Sequence, residues 1–404
     1  MSDSLAQAKA YFLVGVQEFE TNRFNEALHS FESARQLAPD RPTILANLGM
    51  TQYRLGLFPE ALATLNKALE RDPNQSDALV AHGLSNEALG QWGAAISSLE
   101  QALALGQLQA GSWLALAHCR SRMDLVPEAL TAYEEAIALD PTLAQAWSER
   151  GSLLRDLGQF EQAALCFEKA LACGADEALH RFYLAAVSNQ TAPLEPPAQY
   201  VQALFDQYAG EFDTHLVAQL QYVAHKTLLA PLVDSQKHFS LVLDLGCGTG
   251  LCGQIIKQQA AQIEGVDLAA AMVEKARATG VYESVLQSDL LAFLQSSETP
   301  ADLIMAADVF IYVGALEEVF SAVSKRLTSS GCFAFSLEKA NTGDDMRLRS
   351  SLRYAHSLAY VERLATQHKL HIVNHFEAPL RHDQGQPVMG LYCYLQPGLR
   401  AIAN

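Results

Sequence analysis

Basic side chains are scarce in this 404-residue chain: 28 Lys and Arg stand against 45 Asp and Glu, a formal net charge of −17. An acidic surface repels phosphate backbones and anionic headgroups, so neither nucleic acid nor a membrane is expected as a partner. Cysteine is sparse as well. The seven thiols are scattered without a CxxC pair, which excludes a dense disulfide framework. Cys247, Cys252 and Cys332 lie in apolar runs and read as reduced, buried thiols. The opening MSDSLAQAKA lacks a basic stretch followed by an apolar one, so no secretory signal is expected. No apolar run is long enough to span a bilayer. The expected location is cytoplasmic. What remains is ordinary globular composition, 50% hydrophobic and 18% charged, on a chain long enough for two or more cores.

The first half is periodic. Ala27, Ala61, Ala95, Ala129 and Ala163 recur at an interval of 34 residues, and a second set follows at Ala34, Ala68, Ala102, Ala136 and Ala170. Between each pair lies a large residue: Phe31, Leu65, Leu99, Tyr133 and Phe167. Upstream sit Gly15, Gly49, Gly83, Ala117 and Gly151. Short antiparallel helices approach closely only where side chains are small, and the bulky residues fill the space between units. Period and residue types resemble the tetratricopeptide repeat, with five units over roughly residues 8–177. EALHRFYLAAVSNQ (177–190) reads as a closing helix over the last unit's apolar face. TAPLEPPAQ then cannot continue a helix. The expected domains are therefore 1–190 and 191–404. By analogy with other arrays, the groove of the repeats is expected to hold a protein or peptide, with a purely assembly role as the alternative.

The second half alternates apolar runs with helical stretches, which implies a parallel sheet. Strands are expected near SLVLDL, QIEGVDL, SVLQSD, ADLIMAADV and GCFAFSLE. LHIVNHFEA and GLYCYLQ are joined too closely for a crossover helix, so they pair antiparallel. A seven-stranded, Rossmann-like α/β sheet with a reversed last strand is the plan of class I methyltransferases.

The first strand runs into LVLDLGCGTGLCG. Gly248, Gly250 and Gly253 fit the G-x-G-x-x-G of a dinucleotide site, while Asp244, Gly246, Gly248 and Gly250 fit D-x-G-x-G-x-G. Charge decides between them. A carboxylate at the strand's end repels a pyrophosphate and favours a cation. A P-loop is excluded, since no Lys-Ser or Lys-Thr follows the glycines. S-adenosylmethionine carries a sulfonium and an ammonium and has no phosphate. Asp267 ends the second strand, where a carboxylate accepts both ribose hydroxyls. Asp289 ends the third, positioned for the adenine amino group, and Asp308 ends the fourth at the crevice mouth. Each Asp has a plainer reading as a cap of the following helix. Cys247 in the turn and Leu268, Met272 and Leu290 beside the strand ends complete the expected cofactor site.

The acceptor should enter over the carboxyl ends of strands four and five. Asp308, Phe310 and Tyr312 lie there, as does the long connection from Glu338 through RYAHS. That connection exceeds the usual loop length and suggests a lid or binding loop. Within it, Arg353 is placed to hold a carboxylate and His356 to act as a base near neutral pH. The plainer reading of His356 is a residue that starts the next helix. His356, Arg353, Tyr312 and Glu338 form the expected catalytic group. His368, His371 and His375 do not complete a zinc site, although the last two are expected to share one strand face. No metal is expected.

VLDLGCGTG, FDQYAGEFDTHLV (205–217), RYAHS and LRHDQGQPVMGLYCYL (380–395) together resemble bacterial class I S-adenosylmethionine-dependent methyltransferases with N-terminal tetratricopeptide repeats. The resemblance implies that the segment before the first strand folds over the cofactor, bringing Tyr208 or Phe212 near its methionine end. It implies methyl transfer, with a protein or peptide acceptor in the repeat groove as the leading expectation. A small-metabolite acceptor and a non-catalytic cofactor-binding adaptor are the alternatives.

Overall fold

The computed structural model describes residues 2–106, 109–188, 190–201, 204, 222–340, 343–383 and 386–398. Contacts divide the chain into two compact units, residues 1–180 and 181–404. Among the described residues no helix is long and apolar enough to cross a membrane.

The first unit is built from antiparallel helix pairs. They are α1 (Ser2–Glu20) with α2 (Phe24–Leu37), α3 (Pro42–Arg54) with α4 (Phe58–Arg71), and α5 (Ser76–Ala88) with α6 (Trp92–Ala104). Then follow α7 (Ala110–Arg122) with α8 (Val126–Leu139), and α9 (Ala144–Asp156) with α10 (Phe160–Ala172). Both alanine registers and the large residues between them are fully or almost fully buried. The glycine register has a steric cause: a Cβ on Gly49 would stand 2.5 Å from Leu65 Cγ, and one on Gly151 would stand 2.8 Å from Phe167 Cε1. Four of the five first helices thus give up a side chain, and α7 keeps only the methyl of Ala117, so that the second helix can bury a large residue, which stabilises the unit by about 1.5–3 kcal/mol per side chain.

Helix α11 (Glu177–Val187) crosses the division between the units. Its first turn belongs to the repeats, where His180 Nε2 lies 2.8 Å from Ser148 Oγ. Beyond it, Phe182, Ala185 and Ala186 pack with Leu348, Leu352 and Tyr354 within the second unit. The division therefore falls within this helix rather than at the proline-rich stretch after residue 190.

In the second unit the parallel strands β1 (Phe239–Leu245), β2 (Ala260–Asp267), β3 (Ser284–Gln287), β4 (Ala301–Ala306) and β5 (Leu327–Lys339) lie in the order β3-β2-β1-β4-β5. Alternate residues feed two cores. Leu243, Leu245, Ile304 and Ala306 join one, and Val242, Leu303 and Met305 the other, so the central strands β1 and β4 are apolar along most of their length. Two short strands, β6 (Met346–Leu348) and β7 (Tyr354–His356), form an antiparallel hairpin in which β7 runs parallel to the end of β5. The expected lid connection is thus partly sheet, and the sheet has nine described strands instead of seven. The long hairpin β8 (Leu370–Asp383) and β9 (Gln386–Pro397) completes it, with β9 antiparallel to β5. A bulge at Val373 breaks the β8 register, so that His371 pairs with Gln396 and His375 with Cys393. Those partners are on opposite faces, so the two histidines do not share one. No group of His, Cys, Asp or Glu suited to a metal occurs among the described residues.

Candidate functional site

Strand β1 delivers Asp244 to the carboxyl edge of the sheet, and the chain then turns through three glycines. Gly246, Gly248 and Gly250 have φ of +62°, +53° and +91°, backbone that L side chains rarely adopt. A Cβ on Gly246 would also stand 2.6 Å from Val309 Cγ2. Asp267, at the end of β2, closes the turn. Its Oδ2 accepts from the Gly248 amide at 2.9 Å and its Oδ1 from the Ala269 amide at 2.9 Å. The Leu268 amide is a third donor to this carboxylate, which keeps acceptor capacity for a ligand beyond the three amides. Burial pushes the Asp267 carboxyl above its ordinary range, opposed by these amides.

Asp244 is 1% exposed, and its Oδ2 accepts from the Tyr282 hydroxyl at 2.7 Å. Burial pushes its carboxyl up to about 7; the Tyr282 bond works against this and the nearby Asp267 adds to it. No cationic side chain among the described residues pairs with either carboxylate. The Thr249 hydroxyl, buried in the same turn, has no hydrogen-bond partner there. Tyr282 escaped the sequence reading. A Cβ on Gly253 would meet its Oη at 2.5 Å, and one on Gly265 its ring at 3.1 Å. Gly253 is therefore small to seat Tyr282, and not to receive a pyrophosphate.

The remaining expected cofactor residues divide. Leu268 is 46% exposed beside the turn, whereas Met272 is 1% exposed and offers no surface to a ligand. Cys247 packs with Val273, Ala276 and Val285, and its amide donates to Val266. Asp289 is exposed and caps the helix Leu290–Gln295, its Oδ1 accepting from Leu291 at 2.8 Å and Ala292 at 3.2 Å. The plainer reading of this residue is the observed one for that oxygen. Leu290 leans on the core. Tyr208 and Phe212 lie outside the described residues.

On the acceptor side three expectations need correction. Asp308 is not open to the crevice: both its oxygens accept from Arg381 Nη1, at 3.0 and 2.9 Å. Glu338 is equally committed, to Arg381 Nη2 and to Arg349 Nε at 3.4 Å. The β8–β9 hairpin carries Arg381, itself 1% exposed, onto the ends of β4 and β5. Buried carboxylates require such partners. His356 is fully buried in β7; its Nε2 donates to the Gly314 carbonyl at 2.7 Å and its ring stacks on Tyr360. Burial pushes its imidazole down to about 4. A side chain so placed is a structural histidine and not the expected base. Tyr312 and Arg353 do come together, hydrogen-bonded through their side chains.

Comparison with known proteins bears on this arrangement. Residues 242–331 match the family model of a methyltransferase domain, and residues 18–83, 80–144 and 144–173 match models of the tetratricopeptide repeat. The malonyl-[acyl-carrier protein] O-methyltransferase of Salmonella typhimurium is 27% identical over 34% of this chain and 53% of its own length. The trans-aconitate 2-methyltransferase of Pseudomonas paraeruginosa is 29% identical over 26% of this chain and 40% of its own. The chain spans about half the length of the curated relatives it matches. Among solved structures, MamA protein is 25% identical, with a TM-score of 0.38, over 43% of this chain and 93% of that one. The magnesium protoporphyrin IX methyltransferase of Synechocystis, with bound SAM, is 16% identical, with a TM-score of 0.34, over 43% of this chain and 78% of that one.

Proposed function

We propose that this chain, a tetratricopeptide-repeat array followed by a class I methyltransferase domain, transfers methyl groups from S-adenosylmethionine to a protein or peptide held by its repeats. One observation carries the cofactor reading. Two buried carboxylates, Asp244 and Asp267, flank a glycine turn and have no cationic side chain among the described residues. A cationic ligand supplies the missing charge, and a pyrophosphate would add to the excess.

Within this reading Asp267 accepts from the ribose hydroxyls with the acceptor capacity that the backbone amides leave free. Gly246 lets the chain turn past Val309 so that the loop lies beside the ligand, and Asp244 ionises beside the cation. The bound cofactor supplies a methyl group already activated by its sulfonium, so the chain mainly aligns an acceptor opposite the sulfur.

Repeats before the transferase domain favour a macromolecular acceptor. Two relatives named for a malonyl group on a carrier protein are in keeping with this. A relative named for trans-aconitate favours the second reading, a small acid as acceptor. Methyl-labelled S-adenosylmethionine incubated with the full-length chain and a cell extract separates the two. Label in the protein fraction is expected; label confined to small molecules would favour the second reading.

A further inference from the structure

We infer that the methyl acceptor is a carboxylate seated on Arg353 at the carboxyl ends of β4 and β5, so that the product is a methyl ester. The inference rests on the methyltransferase reading above and names the substrate class of that site.

Among the described residues, arginines outnumber carboxylates on this side of the crevice. Asp308 and Glu338 are the buried carboxylates, and Arg381 binds both. Arg349 takes the second oxygen of Glu338. Arg353 feels the charges of Asp308, Glu338 and Arg381, yet it forms no ion pair among the described residues. Its side-chain partner is the Tyr312 hydroxyl, which is neutral because burial raises its pKa further. Among the described residues three guanidinium groups thus face two carboxylates here, and Arg353 is half-buried. Asp308 and Glu338 favour its charged form without touching it, so a partly desolvated guanidinium with no carboxylate in contact among the described residues is left to receive an incoming anion. Arginine also offers paired donors that match a carboxylate's two oxygens.

Position agrees. In the sheet Asp244 pairs with Met305 of β4, so Asp308 and then Tyr312 follow on the same carboxyl edge as the cofactor carboxylates. Ala355 of β7 pairs with Glu338, which brings Arg353 to that edge as well.

Proton inventory agrees too. An amine or alcohol acceptor must give up a proton to a base in contact with it. Among the described residues here, His356 is buried with Nε2 committed to Gly314, and Asp308 and Glu338 are held by arginines. A carboxylate needs no base. A lone pair on its oxygen forms the O–C bond to the methyl group, the C–S bond breaks, and its electron pair stays on sulfur. The negative charge of the acceptor and the positive charge of the sulfonium cancel, and no proton moves.

The test uses the full-length chain. Without cofactor, succinate should raise the melting temperature of the wild type, the neutral succinamide should not, and Arg353→Gln should lose the effect. With methyl-labelled S-adenosylmethionine and a cell extract, the incorporated label should be released by mild base as volatile methanol. Arg353→Gln should lower kcat/KM for that transfer about ten- to a hundredfold with cofactor affinity unchanged, and Arg353→Lys should recover part of it. Base-stable label, no label, or a succinate effect equal in wild type and Arg353→Gln would overturn the inference. Calorimetric binding of S-adenosylmethionine in the same preparation shows whether the methyltransferase reading falls with it.

Discussion

Asp244 is the residue on which the proposed cofactor site turns. Its carboxyl, pushed up to about 7 by burial, is raised above the unfolded value, so its share of stability is present at acid pH and lost as pH rises through about 7. A cation bound beside it favours the ionised form. Binding of S-adenosylmethionine between about pH 6 and 7 should therefore release a proton. Calorimetry in two buffers of different ionisation enthalpy reads this directly, and Asp244→Asn should abolish it; release that persists in the variant would place the titration elsewhere. Asp267→Ala should weaken the cofactor about ten- to a hundredfold, because a charged acceptor for two hydroxyls is lost. Asp244 and the glycines were legible in the sequence because the turn's spacing is local, and Asp267 because it ends the next apolar run. Tyr282 was not, because only folding brings its hydroxyl to Asp244. Burial is equally invisible: RYAHS does not reveal that His356 is enclosed while Arg353, three residues before it, is half-exposed.

At the scale of the element, the repeats were readable because each unit repeats the same local fit of small residue to large. Gly49→Val should destabilise the array by about 1–3 kcal/mol through overpacking against Leu65. Leu65→Ala in the same chain should recover part of that loss, a non-additivity that denaturant melts detect. The β8–β9 hairpin was predicted as an antiparallel pair, but its chemistry was not. Arg381 reaches Asp308 only because β9 lies along β5 and folds β8 back with it. Arg381→Ala leaves two buried carboxylates short of a partner. It should cost about 3–5 kcal/mol in a denaturant melt. The bulge at Val373, which sets His371 and His375 on opposite faces, has no signal in the alternation of apolar and polar residues.

For the whole molecule, α11 decides where the transferase domain can be cut. A chain beginning at Glu177 keeps Phe182, Ala185 and Ala186 against Leu348, Leu352 and Tyr354, and should melt cooperatively. One beginning at Pro196 loses that packing and exposes an apolar patch, so it should melt lower and aggregate more readily. If the repeats hold a protein acceptor, the longer truncate should keep cofactor affinity but lose most of its kcat/KM on the intact protein. The central claim is that the glycine turn between Asp244 and Asp267 binds a cation and not a dinucleotide. Calorimetric titration of the full-length chain with S-adenosylmethionine and, separately, with NAD tests it most directly. Saturable binding of S-adenosylmethionine, no binding of NAD, and loss of binding in Gly246→Val are the predicted results. Saturable NAD binding, or S-adenosylmethionine affinity unchanged in Gly246→Val, would contradict the account.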